Sequence, residues 1–171
     1  MSGPKVILVG PPGAGKSTVG QVLAERLGTG FRDTDADIVA AQGRAISDIF
    51  VEDGEEYFRA LERAAVAEAL RSHPGVLALG GGSVLDTGTR EALAGLPVVF
   101  LDVGLKDAVH RVGLDAARPL LAVNPRARWR ELMEARRPLY TEVAAAVVLT
   151  DGRSPQDVAE EILDVLELKK A

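Results

Sequence analysis

The sequence predicts one α/β domain built around a mostly parallel sheet. Short apolar runs alternate along the chain with helical patterns, which indicates repeated β–α units. The chain has 171 residues, close to the common size of one domain, so we expect a single domain over residues 1–171. Its 47% hydrophobic and 26% charged residues are ordinary for a folded protein, and disorder is expected only at the two ends.

The first half of the chain predicts three strands separated by helices. Val6–Val9 is a continuous apolar run, as expected for a strand that is buried on both faces. From Ser17 the apolar residues recur with helical spacing, and Gly28 marks the end of that helix. Further on we expect a short strand over 30–33, helices over 35–42, 47–53 and 54–72, and a third strand over 76–79.

The second half continues the alternation with one interruption. Ser154 and Pro155 have the character of an N-cap and a first helical residue, so a last helix begins there. Between 113 and 125, glycine, proline and asparagine residues break the rhythm, which predicts a mobile loop. The remaining helices are expected over 88–94, 105–112 and 126–141, and the remaining strands over 98–101 and 146–149.

A phosphate-binding loop stands between the first strand and the first helix. Residues 10–17 read Gly-Pro-Pro-Gly-Ala-Gly-Lys-Ser and fit G-x-x-x-x-G-K-[ST] at every fixed position. The glycines let backbone N–H groups point at phosphate oxygens. Lys16 supplies a positive charge to the β- and γ-phosphates, and the Ser17 hydroxyl is suited to Mg²⁺. A simple glycine-rich turn would not require Lys-Ser, so the sequence predicts that Mg·ATP binds here.

Two carboxylates stand at the end of the predicted second strand. Asp33 and Asp35 are two residues apart, a spacing that puts both on one side of an extended chain. Ligands of open α/β sheets bind beyond the carboxyl ends of the strands. One carboxylate can therefore hold the water shell of Mg²⁺, and the other can take the proton of an acceptor hydroxyl. The alternative is that either aspartate only caps the following helix.

Several features indicate an acidic acceptor. Arg59 has Glu62 three residues later on a helix, which can hold the guanidinium ready for a carboxylate, although such pairs are commonly surface pairs. Gly80–Gly82 follow the third strand. Three glycines suit a ligand that approaches the backbone and accepts its N–H hydrogen bonds, and a loose turn is the alternative. We expect one of Arg136 and Arg137 to point into the site.

Two further arginines are candidates for contacts with ATP. Arg118 lies inside the interrupted stretch, where a loop closing over ATP would bring it to the transferring phosphoryl group. The alternative is a solvated loop arginine. Arg153 stands two residues before Pro155 and would flank the adenine, but on the sequence alone a solvated side chain is favoured.

The composition argues against several classes of function. Cysteine is absent, which excludes a disulfide framework and a thiolate metal site, and two histidines do not suffice for a His-rich metal centre. A net charge of −5 argues against a nucleic-acid partner. No apolar run approaches the ~20 residues needed to span a bilayer. Because the N-terminus lacks a signal-peptide pattern, we expect a cytoplasmic location.

Together these motifs resemble the shikimate kinase family over nearly the whole chain. The resemblance implies a three-layer P-loop NTPase fold, with a five-stranded parallel sheet in the order 2-3-1-4-5, flanking helices and a mobile lid. The P-loop is shared with many families, whereas the combination of the other motifs is specific to this one. They are Asp33-Thr34-Asp35, Phe58-Arg59 with Glu62, Gly80-Gly81-Gly82, Arg118-Pro119-Leu120, and Arg136 two residues before Pro138-Leu139-Tyr140.

The resemblance also implies a reaction, the transfer of the γ-phosphoryl group of Mg·ATP to the 3-hydroxyl of shikimate, a step of the shikimate pathway. Asp35 would be the base, and Lys16 and Arg118 would act on the phosphates. Segment 34–62 would close over shikimate, segment 113–125 would be the lid, and the protein would be a monomer. Shikimate would contact Asp35, Phe50, Phe58, Arg59, Gly80, Gly81, Gly82 and Arg136, with both arginines on its carboxylate. ATP would contact Gly13, Ala14, Gly15, Lys16, Ser17, Thr18, Arg118 and Arg153, and Mg²⁺ would be held by Ser17 and, through water, by Asp33.

Three other functions remain as alternatives. A gluconate kinase of the same fold would also need to bind a carboxylate. A nucleoside monophosphate kinase would carry a longer lid with several arginines and a pocket for the base. A protein that binds ATP without catalysis would not need Asp35 together with Arg118.

Overall fold

Five parallel strands form the central sheet. The computed structural model describes residues 3–104 and 125–168 of the chain. The strands lie in the order β2-β3-β1-β4-β5, and each neighbouring pair is parallel. The predicted sheet and its order are therefore confirmed. The bounds are β1 (Val6–Val9), β2 (Phe31–Asp33), β3 (Val76–Ala78), β4 (Val98–Asp102) and β5 (Ala146–Leu149).

Within the described ranges, the helices begin and end within two residues of the predicted positions. Gly28 ends α1 with a φ of 65°, the left-handed conformation common at helix ends. Ser154 caps α7 by accepting a hydrogen bond of 3.1 Å from the N–H of Asp157. The helices are α1 (Lys16–Leu27), α2 (Thr34–Gln42), α3 (Ile46–Asp53), α4 (Glu55–Ser72), α5 (Thr87–Leu93), α6 (Pro125–Val143) and α7 (Pro155–Val165), with a 3₁₀ turn over Ser83–Leu85.

Two predictions fall on parts of the chain that the structure does not describe. The helix expected over 105–112 lies outside the described residues. The same is true of the predicted loop over 113–125, except that Pro125 is the first residue of α6. Of the helices in the described ranges, none is both long enough and apolar enough to cross a membrane.

β1 occupies the middle of the sheet. Val6 pairs with Val76 of β3, and Ile7 pairs with Val98 of β4. Helices pack on the sheet, and every residue of β1 is at most 1% exposed. That burial explains the uninterrupted apolar run of this strand. The segment that follows β1 therefore starts from the centre of the carboxyl edge of the sheet.

Segment 34–62 has a small apolar core of its own. Ile38 of α2, Ile49 of α3 and Phe58 of α4 are buried together, apart from the main core. Phe50 and Leu61 pack against them. Burial of this kind contributes roughly 1.5–3 kcal/mol for each large apolar side chain. The cluster holds α2, α3 and α4 together, and these helices carry several of the predicted substrate residues.

A glycine at position 75 permits the close approach of β2 and β3. A Cβ on Gly75 would lie under 3.0 Å from the Gly30 carbonyl oxygen and from the Thr29 hydroxyl. We expect Gly75→Ala to lower the free energy of unfolding by about 1–3 kcal/mol, because backbone atoms cannot move aside as a flexible side chain can. Denaturant titration measures this. The control is Gly3→Ala, where a Cβ meets nothing within 4 Å. Equal stability of both variants would contradict the expectation.

Candidate active site

The P-loop lies at the carboxyl end of β1, where its glycines adopt conformations that other residues avoid. Gly13 has a φ of 85° and Gly15 a φ of 91°. Gly15 is also the N-cap of α1, so the unpaired N–H groups of the first helical turn face the loop. A helix N-terminus that follows such a loop favours phosphate groups. The local geometry therefore matches the predicted phosphate site.

Lys16 lies across the start of this loop. Its ammonium donates hydrogen bonds of 2.7 Å to the Gly10 carbonyl and 3.1 Å to the Pro11 carbonyl. The side chain is half-buried, whereas Ser17 and Thr18 are exposed and Ala14 is buried. A positive charge is thus present beside the backbone N–H groups that would surround phosphate oxygens.

Asp33 links the P-loop to α2. One of its carboxylate oxygens accepts a hydrogen bond of 3.1 Å from the Ser17 hydroxyl. The other accepts one of 2.9 Å from the N–H of Asp35 and so caps α2. The prediction that Asp33 and Asp35 share one side of an extended chain is wrong, because Thr34 already begins the helix. Asp33 is both a cap and a neighbour of the P-loop.

Gly80–Gly82, which we call the glycine corner, pack closely against two charged side chains. A Cβ on Gly80 would lie under 3.0 Å from a carboxylate oxygen of Asp35. A Cβ on Gly82 would lie equally close to the guanidinium of Arg59. From the sequence, we interpret these glycines as leaving room for a ligand that accepts hydrogen bonds from the backbone N–H groups. The structure adds a second reason, since the two side chains occupy the space that Cβ atoms would fill.

The middle residue of the corner lies between the P-loop and α6. A Cβ on Gly81 would be 3.3 Å from Cδ of Pro12 and 3.6 Å from the Arg136 guanidinium. Arg136 is 9% exposed. Arg137, its neighbour, instead pairs with Asp102 at 2.5 Å and is 43% exposed on its side chain. Of the two arginines that the sequence could not separate, Arg136 is the one at the corner.

Arg59 is held in place by two carboxylates on its own helix. Its guanidinium lies 2.8 Å from Glu62, whose side chain is 5% exposed, and 3.3 Å from the exposed Glu55. The guanidinium carbon is also 5.4 Å from the centre of the Phe58 ring. The buried Glu62 makes this more than a surface pair, because a desolvated carboxylate and a guanidinium fix each other's geometry.

The other residues predicted for the site either contact other parts of the chain or lie outside the described residues. The Phe50 and Phe58 rings pack with their centres 5.0 Å apart, so both belong to the small core of segment 34–62. Arg153 hydrogen-bonds the Leu149 carbonyl at 2.8 Å and Glu161 at 2.6 Å, at the edge of the sheet beyond the other site residues. Arg118 lies outside the described residues.

Two residues that the sequence reasoning missed also contact the glycine corner. The Thr34 hydroxyl accepts a hydrogen bond of 3.2 Å from the Gly80 N–H. The Tyr140 hydroxyl donates one of 2.6 Å to the Gly81 carbonyl. The position of Tyr140, four residues after Arg136 on one helix, was a usable signal, since residues at i and i+4 share a helix face. Thr34 gave no such signal.

The chain matches one protein family over most of its length. The family model described as shikimate kinase covers residues 12–167. A shikimate kinase from Streptomyces coelicolor is 66% identical over 171 residues, which is all of both chains. One from Salinispora arenicola is 60% identical over 95% of this chain and 98% of its own.

A solved structure shows the same likeness in three dimensions. It is the shikimate kinase from Acinetobacter baumannii in complex with shikimate. It superposes with a TM-score of 0.92 at 38% sequence identity, and the match covers 98% of this chain and 94% of that one. The sequence relatives and the solved structure thus point to the same family. The chain therefore belongs to the shikimate kinase family.

Proposed function

We propose that this protein transfers the γ-phosphoryl group of Mg·ATP to the 3-hydroxyl of shikimate, which gives shikimate 3-phosphate and ADP. The observation that carries the proposal is the convergence of Asp35, Arg59 and Arg136 on the glycine corner, next to the P-loop. A carboxylate base and two guanidinium groups suit an acceptor that has both hydroxyl groups and a carboxylate. The Acinetobacter baumannii relative, which is described in complex with shikimate, supports this acceptor.

ATP would bind with its phosphates in the P-loop. The backbone N–H groups of Gly13–Thr18 would donate to phosphate oxygens, as the left-handed glycines and the start of α1 favour. Lys16 would exchange its two carbonyl acceptors for the β- and γ-phosphates. Arg118 would join them from the lid over 113–125, and Arg153 would lie near the adenine. These last two roles rest on the family resemblance.

Mg²⁺ suits the oxygen atoms beside the P-loop. Ser17 would hold it directly and Asp33 through water, and their hydroxyl and carboxylate oxygens are already 3.1 Å apart. Mg²⁺ would take its remaining ligands from phosphates and water. When bound, Mg²⁺ would neutralise charge on the β- and γ-phosphates.

Shikimate would lie against the glycine corner. Arg59 and Arg136 would bind its carboxylate, and the Gly81 N–H would donate to it. Glu62 keeps Arg59 oriented before the acceptor arrives. Phe50 and Phe58 would line the apolar side of the pocket, and Gly80 and Gly82 would leave room for the ring. Segment 34–62, with its own core, would move as a unit when it closes over the acceptor.

Asp35 would serve as the base for the transfer. Its carboxylate lies against Gly80, beside the proposed position of the acceptor. As the 3-hydroxyl oxygen bonds to the γ-phosphorus, the bond from that phosphorus to the ADP oxygen breaks, and the hydroxyl proton passes to Asp35. Lys16 would offset the charge that develops on the phosphates. Closure of the lid would exclude water, which would otherwise compete as the acceptor.

We also propose a monomer that acts in the cytoplasm without a nucleic-acid or membrane partner. The net charge of −5 supports the absence of a nucleic-acid surface. Both substrates are small molecules, so the proposed site needs no second protein.

The direct test is an assay of ADP release with Mg·ATP and different acceptors. We expect release with shikimate, and only background release with gluconate, with AMP or without an acceptor. If ADP is released with gluconate or AMP instead, the P-loop still binds ATP, but Arg59, Gly81 and Arg136 do not form a shikimate site. The absence of release with every acceptor would favour a protein that binds ATP without catalysis.

The neighbouring arginines of α6 provide a matched pair of variants. We expect Arg136→Ala to raise the KM for shikimate by about 10- to 100-fold, the range expected when a hydrogen-bonded charge is lost. Arg137→Ala should leave that KM unchanged, because Arg137 is engaged with Asp102. Steady-state kinetics at saturating ATP measures both. If Arg137→Ala raises the KM for shikimate more than Arg136→Ala does, then Arg137 and not Arg136 binds the carboxylate.

The role of Asp35 as base predicts a change in kcat rather than in nucleotide binding. Asp35→Asn keeps the size of the side chain but removes the proton acceptor, so kcat should fall by about 100-fold or more. The affinity for ATP, measured by calorimetry, should stay close to that of the native protein. Asp37→Asn is the control on the same helix, where Asp37 pairs with Arg32 at 2.6 Å. A kcat that stays near normal in Asp35→Asn would exclude Asp35 as the base.

A further inference from the structure

The hydroxyl of Tyr140 is buried at the back of the glycine corner. Tyr140 is 0% exposed, and its ring packs on Phe100 with the ring centres 4.9 Å apart. Its hydroxyl donates a 2.6 Å hydrogen bond to the Gly81 carbonyl. A phenylalanine would bury the same ring without the cost of desolvating a hydroxyl. The packing alone therefore does not explain why a tyrosine stands here.

The bond to Gly81 fixes the orientation of a whole peptide group. The Gly81 carbonyl and the Gly82 N–H belong to one planar peptide, and the described residues contain no cis peptide bond. In a trans peptide the carbonyl and the N–H point in opposite directions. When Tyr140 holds the carbonyl, the Gly82 N–H must point away from α6. The glycines would otherwise give this peptide unusual freedom to rotate.

The Gly81–Gly82 peptide lies beside the residues that would bind the acceptor in the proposed function. Within residues 3–104 and 125–168, neither the Gly81 N–H nor the Gly82 N–H donates to a protein acceptor. Gly82 lies against Arg59, and Gly81 lies against Arg136. Arg136 is one helical turn before Tyr140 on α6. The peptide that Tyr140 holds therefore lies beside both predicted carboxylate ligands.

We propose that Tyr140 is a positioning residue, whose hydroxyl holds the Gly81–Gly82 peptide in the orientation that binds the acceptor carboxylate. The inference rests on the proposed function, because it takes shikimate as the acceptor. Tyr140 does not touch the reacting atoms and takes no part in proton transfer. Its hydroxyl bonds to the corner and not to the P-loop, so its effect is expected on the affinity for the acceptor rather than on the affinity for ATP.

The hydroxyl remains a donor throughout the pH range of an enzyme assay. Burial raises the pKa of Tyr140 to about 12, against the opposing effect of the positively charged Arg136. The neutral phenol carries the proton that the Gly81 carbonyl accepts. The dependence of shikimate affinity on this residue should therefore not vary between pH 6 and pH 9, a range that lies well below the ordinary tyrosine value of about 10.

Removing the single oxygen of Tyr140 tests the proposal. We expect Tyr140→Phe to raise the KM for shikimate by about tenfold, the effect of leaving one buried acceptor unpaired. The KM for ATP should not change. Tyr57→Phe is the matched control, because Tyr57 is exposed and its hydroxyl lies 3.5 Å from Gln42 of α2 rather than at the Gly81 carbonyl. An unchanged KM for shikimate in Tyr140→Phe would overturn the proposal, and so would an equal rise in the KM for ATP.

A second variant separates positioning from packing. Phe100→Leu removes the ring that supports Tyr140 but leaves the hydroxyl in the protein. We expect it to lower the melting temperature more than Tyr140→Phe does, while raising the KM for shikimate less. If the two variants change this KM in proportion to their loss of stability, Tyr140 is a packing residue and the proposal fails.

A spectroscopic measurement does not depend on the folding of Tyr140→Phe. The chain has two tyrosines, so Tyr57→Phe protein grown with 3-fluorotyrosine carries the label at Tyr140 alone. We expect its ¹⁹F resonance to shift when shikimate is added, and to shift less when ATP is added. A resonance that does not respond to shikimate would contradict the proposal. Failure of the proposed function itself would appear separately, as an absence of shikimate-dependent ADP release by the native protein.

Discussion

The candidate site depends on a stretch of backbone without side chains at the end of β3. At Gly80 and Gly82, the carboxylate of Asp35 and the guanidinium of Arg59 occupy the space in which Cβ atoms would otherwise stand. Two opposite charges are thereby brought to one corner, and Glu62 engages Arg59 from its own helix. The absence of Cβ atoms thus lets both side chains approach the stretch of backbone where the proposed function places the acceptor.

The strand order explains why these groups meet. β3 lies between β2 and β1, and parallel strands end at the same edge of a sheet. Asp33 ends β2 and Asp35 comes just after it, the glycine corner follows β3, and the P-loop follows β1. The proposed acceptor site and the P-loop are therefore neighbours because of the topology. The hydrogen bond from Ser17 to Asp33 and the contact between Pro12 and Gly81 join the two sides.

The sequence predicted the features that depend on local spacing. The P-loop, the five strands and the pairing of Arg59 with Glu62 all follow from residues close together in the chain. The features that it missed depend on long-range contacts, such as those from Thr34 to Gly80 and from Tyr140 to Gly81, which span 46 and 59 residues. Arg136 and Arg137 are equivalent as a pattern, and only the packing of α6 separates them. The extended conformation predicted for Asp33 and Asp35 is wrong because Asp33 is the N-cap of α2, so the chain is already helical at Asp35.

A crystal structure of this protein with shikimate and ADP would show whether the acid binds at the glycine corner. We expect the shikimate carboxylate within hydrogen-bonding distance, about 2.7–3.2 Å, of both Arg59 and Arg136. We also expect a ring hydroxyl in contact with Asp35. A carboxylate bound at Arg137, or a ring whose hydroxyl groups face away from Asp35, would exclude the glycine corner as the acceptor site proposed for this protein.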